Sequence, residues 1–259
     1  MVPGPTSMTA TVRQAYAEDV GSPDVELDEF AADYFDLEDS LKRLLSFDGS
    51  IAIGSGEGMA CLWGAMKSVL CPGDVVVSGA NGILNPLTGI GAALRESTSD
   101  GLLLVDFVSS SFAVSLNVSA ELIDLGLLAP QKALSASMYC IGNCTGNAVL
   151  NLHQILEVKY EGYDALAPFY GLSRAVPLYT PYTHNWPAVR ATLQACRELE
   201  AEGLSSVIQR HALAAAECHK LAADLGLSLF CETLEVTGSA CWTLGFVSAD
   251  ITSSLLPQP

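Results

Sequence analysis

Basic side chains are scarce in this chain of 259 residues, which has 12 Lys and Arg against 29 Asp and Glu and a formal net charge of −17. Nucleic acids and anionic membrane surfaces are bound through clustered Lys and Arg, so neither is expected as a partner. The acidic residues are concentrated near the start of the chain. There they predict the solvated face of an entry helix.

The sequence also lacks an export signal and a long apolar run. Its first residues have neither a basic start nor an apolar core, and the longest apolar stretch, residues 102–118, is interrupted by Asp106 and several serines. We therefore expect no signal peptide and no membrane-spanning helix. Because a C-terminal peroxisomal tripeptide is lacking as well, a cytoplasmic or a peroxisomal location is the expectation.

No metal site or disulfide framework is predicted. The eight cysteines are scattered, and Cys140 and Cys144 lack the two-residue spacing of zinc and redox pairs, so reduced and mostly buried thiols are expected. His211 and His219 are eight residues apart on a predicted helix, which places them two turns apart. This distance is too long for a shared metal ion, and both are predicted to be helix-surface histidines.

The apolar residues that are present alternate between helical and extended spacing. Half of the residues are hydrophobic and 22 are glycine, a composition typical of an α/β enzyme. A strand, a glycine turn and a helix follow one another early, and this order predicts a parallel sheet with right-handed crossovers. The predicted helices cover residues 11–19, 27–45, 59–70, 87–96, 187–201 and 204–225, and the predicted strands cover residues 51–53, 75–77, 102–106, 125–128, 227–230 and 242–247.

Two chemically reactive side chains follow successive apolar runs. One run ends at Asp106, and about one β-α step later the run at residues 125–128 leads to Lys132. Both runs predict buried parallel strands, whose carboxyl ends meet where open α/β sheets bind ligands. A lysine and an acid there suit pyridoxal phosphate: the lysine forms a Schiff base with its aldehyde and the acid keeps its pyridine nitrogen protonated. The alternative is an ordinary strand-end aspartate and an exposed loop lysine.

The glycine-rich turn Gly54–Gly58 lies between a predicted strand and a predicted helix, where backbone amides can bind a phosphate. It lacks both the Walker ending and the third spaced glycine of a dinucleotide fingerprint, which disfavours a Rossmann-type nucleotide binder. Glu57 would repel a phosphate unless its carboxylate caps an amide or points away. Ser55 is not in the hydrolase elbow motif, and His184 is predicted to be an ordinary loop histidine.

Several segments match one known family in the same order along nearly the whole chain. They are Pro3–Thr6, Gly21–Pro23, Gly54–Trp63, Pro72–Asp74, Gly82–Leu87, Leu104–Ser110, Pro130–Leu134, Tyr160–Leu166, Tyr179–Tyr182, Glu202–Leu204, Arg210 and His211. On these segments the chain resembles the class V aminotransferases, which are fold-type I pyridoxal-phosphate enzymes, and in particular the alanine–glyoxylate and serine–pyruvate group. The resemblance implies an α/β large domain with a mostly parallel sheet flanked by helices.

The resemblance also implies roles for individual residues. Lys132 would form the Schiff base and Asp106 would pair with the pyridine nitrogen. Six further residues would contact the cofactor: Ser55, Gly56, Glu57, Gln131, Thr180 and Thr183. Of these, the first three form the phosphate cup. One of the two threonines reaches the phosphate, usually across a dimer interface, so a homodimer is expected.

Two departures from the family pattern are visible. The family has several dozen residues between the positions of Asn81 and Gly82, and they supply the aromatic residue that stacks on the cofactor ring and a central strand. The family's small C-terminal α+β domain also continues further and carries the arginine that binds the substrate carboxylate. We therefore expect an incomplete large domain at residues 1–185 and linking helices with a truncated C-terminal domain at residues 186–259.

The expected reaction is amino transfer from a small amino acid, alanine or serine, to a 2-oxo acid, glyoxylate or pyruvate. Such an activity belongs to glyoxylate metabolism. Transamination between 2-aminoethylphosphonate and pyruvate is an alternative, since Thr183 and His184 resemble that relative too. A non-catalytic truncated member of the family is the other alternative. If the chain is active, the missing carboxylate-binding arginine could be replaced by Arg174 or Arg190.

Overall fold

The computed structural model describes residues 5–76, 85–98, 101–136, 141–145, 158–169, 180–229 and 246–247. Six helices are present in these ranges: α1 Ala10–Ala17, α2 Leu27–Leu45, α3 Gly58–Val69, α4 Leu87–Ser97, α5 Trp186–Glu202 and α6 Leu204–Asp224. Six strands accompany them: β1 Ser50–Gly54, β2 Leu104–Asp106, β3 Leu125–Leu128, β4 Ile141–Thr145, β5 Ser228–Leu229 and β6 Phe246–Val247. A single 3-10 turn covers Ala167–Phe169.

Helix α2 shows how the sequence pattern produces the core. Its apolar residues recur every three or four positions, and Phe30, Tyr34 and Leu37 on this face are almost completely buried. Acidic residues occupy its first turn and basic residues its last turn, where each favours the helix dipole. The helix ends at Ser46, whose left-handed φ of 51° lets its amide bond back to the last turn.

The helices α1, α2 and α5 form one layer over the sheet. Helix α5 packs against both α1 and α2, and its buried Trp186 donates from its indole nitrogen to Asp33 at 2.7 Å. The same core cluster includes Ile51 and Ile53 from strand β1. Among the described residues, no helix combines the length and the apolarity that a membrane span requires.

The main sheet has the strand order β1-β4-β3-β2. Strand β4 pairs antiparallel with both β1 and β3, while β2 and β3 pair in parallel. The described sheet therefore has one antiparallel strand, β4, among three strands that run in the same direction, as expected for a mostly parallel sheet. Strand β4 runs back along β3 soon after it, and an antiparallel return needs no crossover helix.

The strand predicted at residues 75–77 is not formed in the described part of the chain. Val75 and Val76 lie outside any strand and are 87% and 54% exposed, and Val77 lies outside the described residues. Among the described residues no strand lies beside them to complete a ladder, and an unpaired strand is not stable in water. The adjacent expectation of a buried strand ending at Asp106 also needs correction, because β2 forms an edge and its residues are half-buried or exposed.

The helices and strands near the C-terminal end follow the predicted pattern with one exception. Helices α5 and α6 match the predicted ranges, and β5 pairs antiparallel with β6. His211 on α6, however, is buried, and its Nδ1 lies 2.8 Å from the carbonyl oxygen of Val207. The prediction of a helix-surface histidine is wrong here because the face of α6 that carries Val207 and His211 packs inward. The division into domains at residue 185 stays a prediction.

Candidate cofactor site

Three segments with the predicted site residues leave the main sheet at one edge. Because β4 is antiparallel to both β1 and β3, these two strands run in the same direction, and β2 runs parallel to β3. The last residues of β1 and β3 flank the first two residues of β4: Gly54 pairs with Ile141, and Leu128 pairs with Gly142. The end of the sheet at which β1, β2 and β3 finish therefore contains the turn after β1, Asp106 at the end of β2 and the Lys132 loop after β3.

The turn after β1 has open space at its glycines. A Cβ atom built on Gly56 or Gly58 meets no atom within 4 Å. Among the described residues no acceptor binds the backbone amides of Gly56, Glu57 or Gly58, which lie at or just before the start of α3. Free amides at a helix N-terminus are a suitable cradle for a phosphate.

The carboxylate of Glu57, which would repel a phosphate in the turn, caps the helix α3 instead. Its Oε2 accepts the amide of Met59 at 2.8 Å and so caps the N-terminus of α3. A capping carboxylate is held by the helix dipole at the N-terminal end. The carboxylate thus binds within its own helix and leaves the amides of the turn available.

Ser55 is the one cup residue whose backbone amide already has an acceptor among the described residues. Its amide donates to the hydroxyl of Tyr182 at 3.1 Å, and its Oγ accepts the amide of Asn185 at 3.3 Å. The Tyr182 hydroxyl also lies 3.0 Å from the position of a Cβ on Gly54, so a larger residue there would displace this hydroxyl by a few tenths of an ångström. Of the three predicted cup residues, Gly56 and Glu57 are the two whose backbone amides have no acceptor among the described residues.

Tyr182 is held in place by a cluster of aromatic rings, which sequence reasoning did not find. It stacks on Tyr163 with ring centroids 4.2 Å apart, and it lies 5.8 Å from Phe169 and 5.1 Å from His184. Such ring pairs stabilise by about 1 kcal/mol each beyond their buried area. The only signal in the sequence is the local abundance of aromatic residues at 160–186, which does not specify the partner Ser55.

His184 is buried within this aromatic cluster. It is 4% exposed, and neither ring nitrogen has a hydrogen-bond partner among the described residues. Burial lowers its pKa from the usual 6.5 to about 4, although the negative charge of Asp24 acts in the opposite direction. The prediction of an ordinary loop histidine is corrected: the ring is a neutral core side chain against Phe30 and Tyr34.

The two threonines predicted to reach the phosphate lie in the same loop. The Thr183 hydroxyl donates to Oδ2 of Asp24 at 2.7 Å within the same chain, and its side chain is exposed. Thr180 is half-buried at the start of the described segment. Their contact with a cofactor phosphate stays a prediction, and it concerns a second copy of the chain.

Lys132 lies in a loop at residues 130–136, and backbone hydrogen bonds within the loop join its two ends. The amide of Ala136 donates to the carbonyl of Pro130 at 2.9 Å, and the amide of Ser135 donates to the carbonyl of Lys132 at 2.9 Å. The Lys132 side chain is half-buried. The side-chain Oε1 of Gln131 is buried and has no donor among the described residues, which is rare for a buried oxygen and suits a bound ligand.

One carboxylate oxygen of Asp106 accepts a hydrogen bond within the turn that follows β2. Its Oδ1 accepts the amide of Val108 at 3.0 Å, and its side chain is exposed because β2 forms the edge of the described sheet. The register pairs Asp106 with Leu127, so the prediction that β2 and β3 are parallel is confirmed, and the two strands are also neighbours. A carboxylate in this position can bind a protonated ring nitrogen with its other oxygen.

The other reactive groups near the edge do not add a nucleophile or a metal site. Burial, followed by the charges of Asp164 and Glu57, raises the pKa of Cys61 to about 12, so its thiol is protonated at neutral pH. Among the described residues, no group of three His, Cys, Asp or Glu side chains could hold a metal ion. The role of Lys132 as the amine that binds the cofactor stays a prediction.

Neither predicted substitute for the carboxylate-binding arginine is available in the described structure. Arg190 lies 2.8 Å from Glu18 and 3.8 Å from Asp33, so its charge is already neutralised. Arg174 lies outside the described residues.

Comparison with known proteins supports the resemblance predicted from the sequence. No family model matches the chain. A segment of 136 residues is 32% identical to serine–glyoxylate aminotransferase of Arabidopsis thaliana, and it covers 51% of this chain and 33% of that protein. The match therefore spans about a third of the length of this curated relative.

Solved structures show the fold. The TM-score is 0.79 to an alanine–glyoxylate aminotransferase of Nostoc sp. (21% identity, 89% of this chain, 75% of that chain). It is 0.77 to the ureidoglycine–glyoxylate aminotransferase of Bacillus subtilis (18% identity, 90% and 73%) and 0.83 to the pyridoxamine–pyruvate aminotransferase of Mesorhizobium loti (16% identity, 92% and 74%). The fold-type I class predicted from the sequence is confirmed.

Proposed function

We propose that this chain is a pyridoxal-phosphate-dependent aminotransferase that transfers an amino group from alanine or serine to glyoxylate or pyruvate. One observation carries the proposal: strands β1, β2 and β3 deliver the glycine turn, Asp106 and the Lys132 loop to the same edge of the sheet. The names of the relatives, which act on glyoxylate or pyruvate, support this substrate class.

The described residues fit pyridoxal phosphate at both ends. The free amides of Gly56 and Glu57 at the start of α3 suit its phosphate, and the open space at Gly56 admits it. The unpartnered Oε1 of Gln131 lies directly before Lys132 and can accept a hydrogen bond from the cofactor or its substrate. Asp106 would hold a proton on the pyridine nitrogen.

When bound, the cofactor supplies an aldehyde that takes up the amino group and a ring that withdraws electrons from the α-carbon. The protein contributes the base and the charges. The Lys132 amine would take the proton from the α-carbon of the amino acid and deliver it to the cofactor carbon that carried the aldehyde, acting first as a general base and then as a general acid. Asp106 would keep the pyridine nitrogen positive during this transfer. Thr180 and Thr183 would complete the phosphate site across a homodimer interface.

The first test is to identify the lysine that binds the cofactor. We expect reduction with borohydride in the presence of pyridoxal phosphate to leave a pyridoxyl group on Lys132, because this half-buried amine lies at the same edge as the phosphate cradle. Peptide mass mapping locates the adduct, and Lys132→Arg is the matched control that should remain unlabelled. An adduct on the exposed Lys67 or Lys159 of the wild-type protein would contradict the assignment.

The second test concerns the phosphate cradle. Gly56→Leu should weaken the binding of pyridoxal phosphate at least about tenfold, because a branched side chain in the open space excludes the phosphate from the free amides. Dissociation constants from fluorescence quenching measure the effect. The control is Gly89→Leu, on the exposed part of α4. Gly73→Leu is unsuitable as a control because the positive φ of Gly73 would strain a leucine at this position. Equal affinity in wild type and Gly56→Leu would place the cradle elsewhere.

One observation favours the alternative of a non-catalytic chain. Asp106 is exposed on an edge strand, whereas a carboxylate that keeps a ring nitrogen protonated interacts with it more strongly in a water-free site. Amino transfer assays with alanine and glyoxylate decide between the two. A chain that takes up the pyridoxyl group on Lys132 but does not turn over these substrates, or 2-aminoethylphosphonate with pyruvate, is the non-catalytic relative.

A further inference from the structure

The segment before α1 is bound to the loop that carries Lys132. The Thr6 amide donates to the carbonyl of Gln131 at 2.9 Å, and the Thr6 hydroxyl lies 2.7 Å from the carbonyl of Lys132. The same hydroxyl lies 3.1 Å from the Gln131 carbonyl and 3.2 Å from Oγ of Ser135. Thr6, although distant in the sequence, thus contacts three residues of the loop.

The loop cannot supply these hydrogen bonds by itself. Among the described residues, the carbonyl of Gln131 has no donor other than Thr6. Ser135 has a left-handed φ of 54°, a conformation that costs a non-glycine residue about 1–2 kcal/mol unless its surroundings hold it. The hydroxyl of Thr6 lies against Ser135 and so helps to hold this conformation. Without Thr6, the described hydrogen bonds that hold the loop would be its two backbone bonds and the 3.5 Å contact of the Ser135 hydroxyl with the Lys132 carbonyl.

We propose that Thr6 is a positioning residue that holds the backbone at Lys132 in the geometry that the reaction needs. Its catalytic consequence rests on the proposed function. Its effect on the loop does not, because the hydrogen bonds exist in the protein alone. The requirement is for the hydroxyl: valine has the same shape and keeps the backbone amide, but it cannot donate to the Lys132 carbonyl.

The chain offers a matched control for this substitution. Thr11 is an exposed threonine in α1 whose hydroxyl donates to Glu198 on α5, far along the chain from Lys132. Thr11→Val therefore removes one hydroxyl and one long-range hydrogen bond from the same N-terminal region. Thr6→Ser keeps the hydroxyl at the tested position.

The experiment measures how fast the Lys132 amine is acetylated by trace acetic anhydride in the cofactor-free protein, relative to the exposed Lys67, by peptide mass mapping. Loss of one hydrogen bond should loosen the loop and raise this ratio roughly three- to tenfold in Thr6→Val. Thr6→Ser should restore the wild-type ratio, and Thr11→Val should leave it unchanged. An unchanged ratio in Thr6→Val, or an equal rise in Thr11→Val, would overturn the proposal.

A second readout uses the cofactor and separates the two proposals. If wild-type protein takes up pyridoxal phosphate on Lys132, the pH midpoint of its visible absorbance should shift in Thr6→Val but not in Thr11→Val. If wild-type protein takes up none, the proposed function fails, while the acetylation ratio still tests Thr6. If the acetylation ratio changes but the pH midpoint does not, Thr6 affects the loop only in the cofactor-free protein. This result would overturn its role in positioning the reacting lysine.

Discussion

Replacing Gly64 with alanine should lower the free energy of unfolding by about 3 kcal/mol. A Cβ atom on Gly64 would lie 2.1 Å from the carbonyl oxygen of Asp164 and 2.7 Å from its Cβ, so the backbone of residues 158–169 must move away from α3. This movement also breaks the contacts of Ser68, whose hydroxyl donates to the Gly64 carbonyl at 2.7 Å and accepts the Leu166 amide at 3.0 Å. The gain in helix propensity from glycine to alanine, about 1 kcal/mol, offsets only part of this loss.

Gly89→Ala is the control for Gly64→Ala. Gly89 lies in helix α4, and a Cβ built on it meets nothing within 4 Å. This variant should be as stable as the wild type or more stable by up to about 1 kcal/mol. Urea denaturation measures both variants. If Gly64→Ala were as stable as Gly89→Ala, the segment at residues 158–169 would not be docked on α3 as described.

Gly64→Ala should also affect the candidate cofactor site. Residues 158–169 carry Tyr163 and Phe169, which hold Tyr182 beside the Ser55 amide. When this segment moves, the Tyr182 hydroxyl loses its support behind the phosphate cradle. We therefore expect Gly64→Ala to weaken the binding of pyridoxal phosphate as well, at temperatures where the protein is still folded.

The sequence predicted the helices well because each helix follows from a local pattern. The spacing of Phe30, Tyr34 and Leu37 defines the buried face of α2 without reference to the rest of the chain. The two apolar runs before Asp106 and Lys132 were also sufficient to predict that β2 and β3 are parallel strands that end at the same edge of the sheet. These features depend on period and order alone.

The features that could not be predicted depend on residues that meet only in the folded chain. Nothing in residues 141–145 shows that this strand lies antiparallel between β1 and β3, since its run contains Gly, Asn, Cys and Thr and no clear alternation. The hydrogen bonds of Ser55 to Tyr182 and of Thr6 to Lys132 each join distant segments through a single polar atom. The burial of His184 likewise depends on Phe30 and Tyr34 of α2, which are distant from it in the sequence.

Acid should destabilise this protein through His184. The folded-state pKa of about 4 lies below the ordinary value of 6.5, so between these two pH values the unfolded chain binds a proton that the folded chain does not. The free energy of unfolding therefore falls as the pH is lowered from about 6.5, and this contribution levels off below about 4. Over the whole window the loss is about 3 kcal/mol, and between pH 7.5 and pH 5 it is about 2 kcal/mol.

His184→Phe isolates this contribution. Phenylalanine keeps an aromatic ring against Phe30 and Tyr182 but has no group to protonate, and it also removes two buried nitrogens that lack partners. Urea denaturation at pH 7.5 and pH 5 should show that the variant loses about 2 kcal/mol less than the wild type on acidification. Equal losses in wild type and His184→Phe would mean that the ring is charged or solvated in the folded protein. The aromatic cluster behind the phosphate cradle would then be open to water.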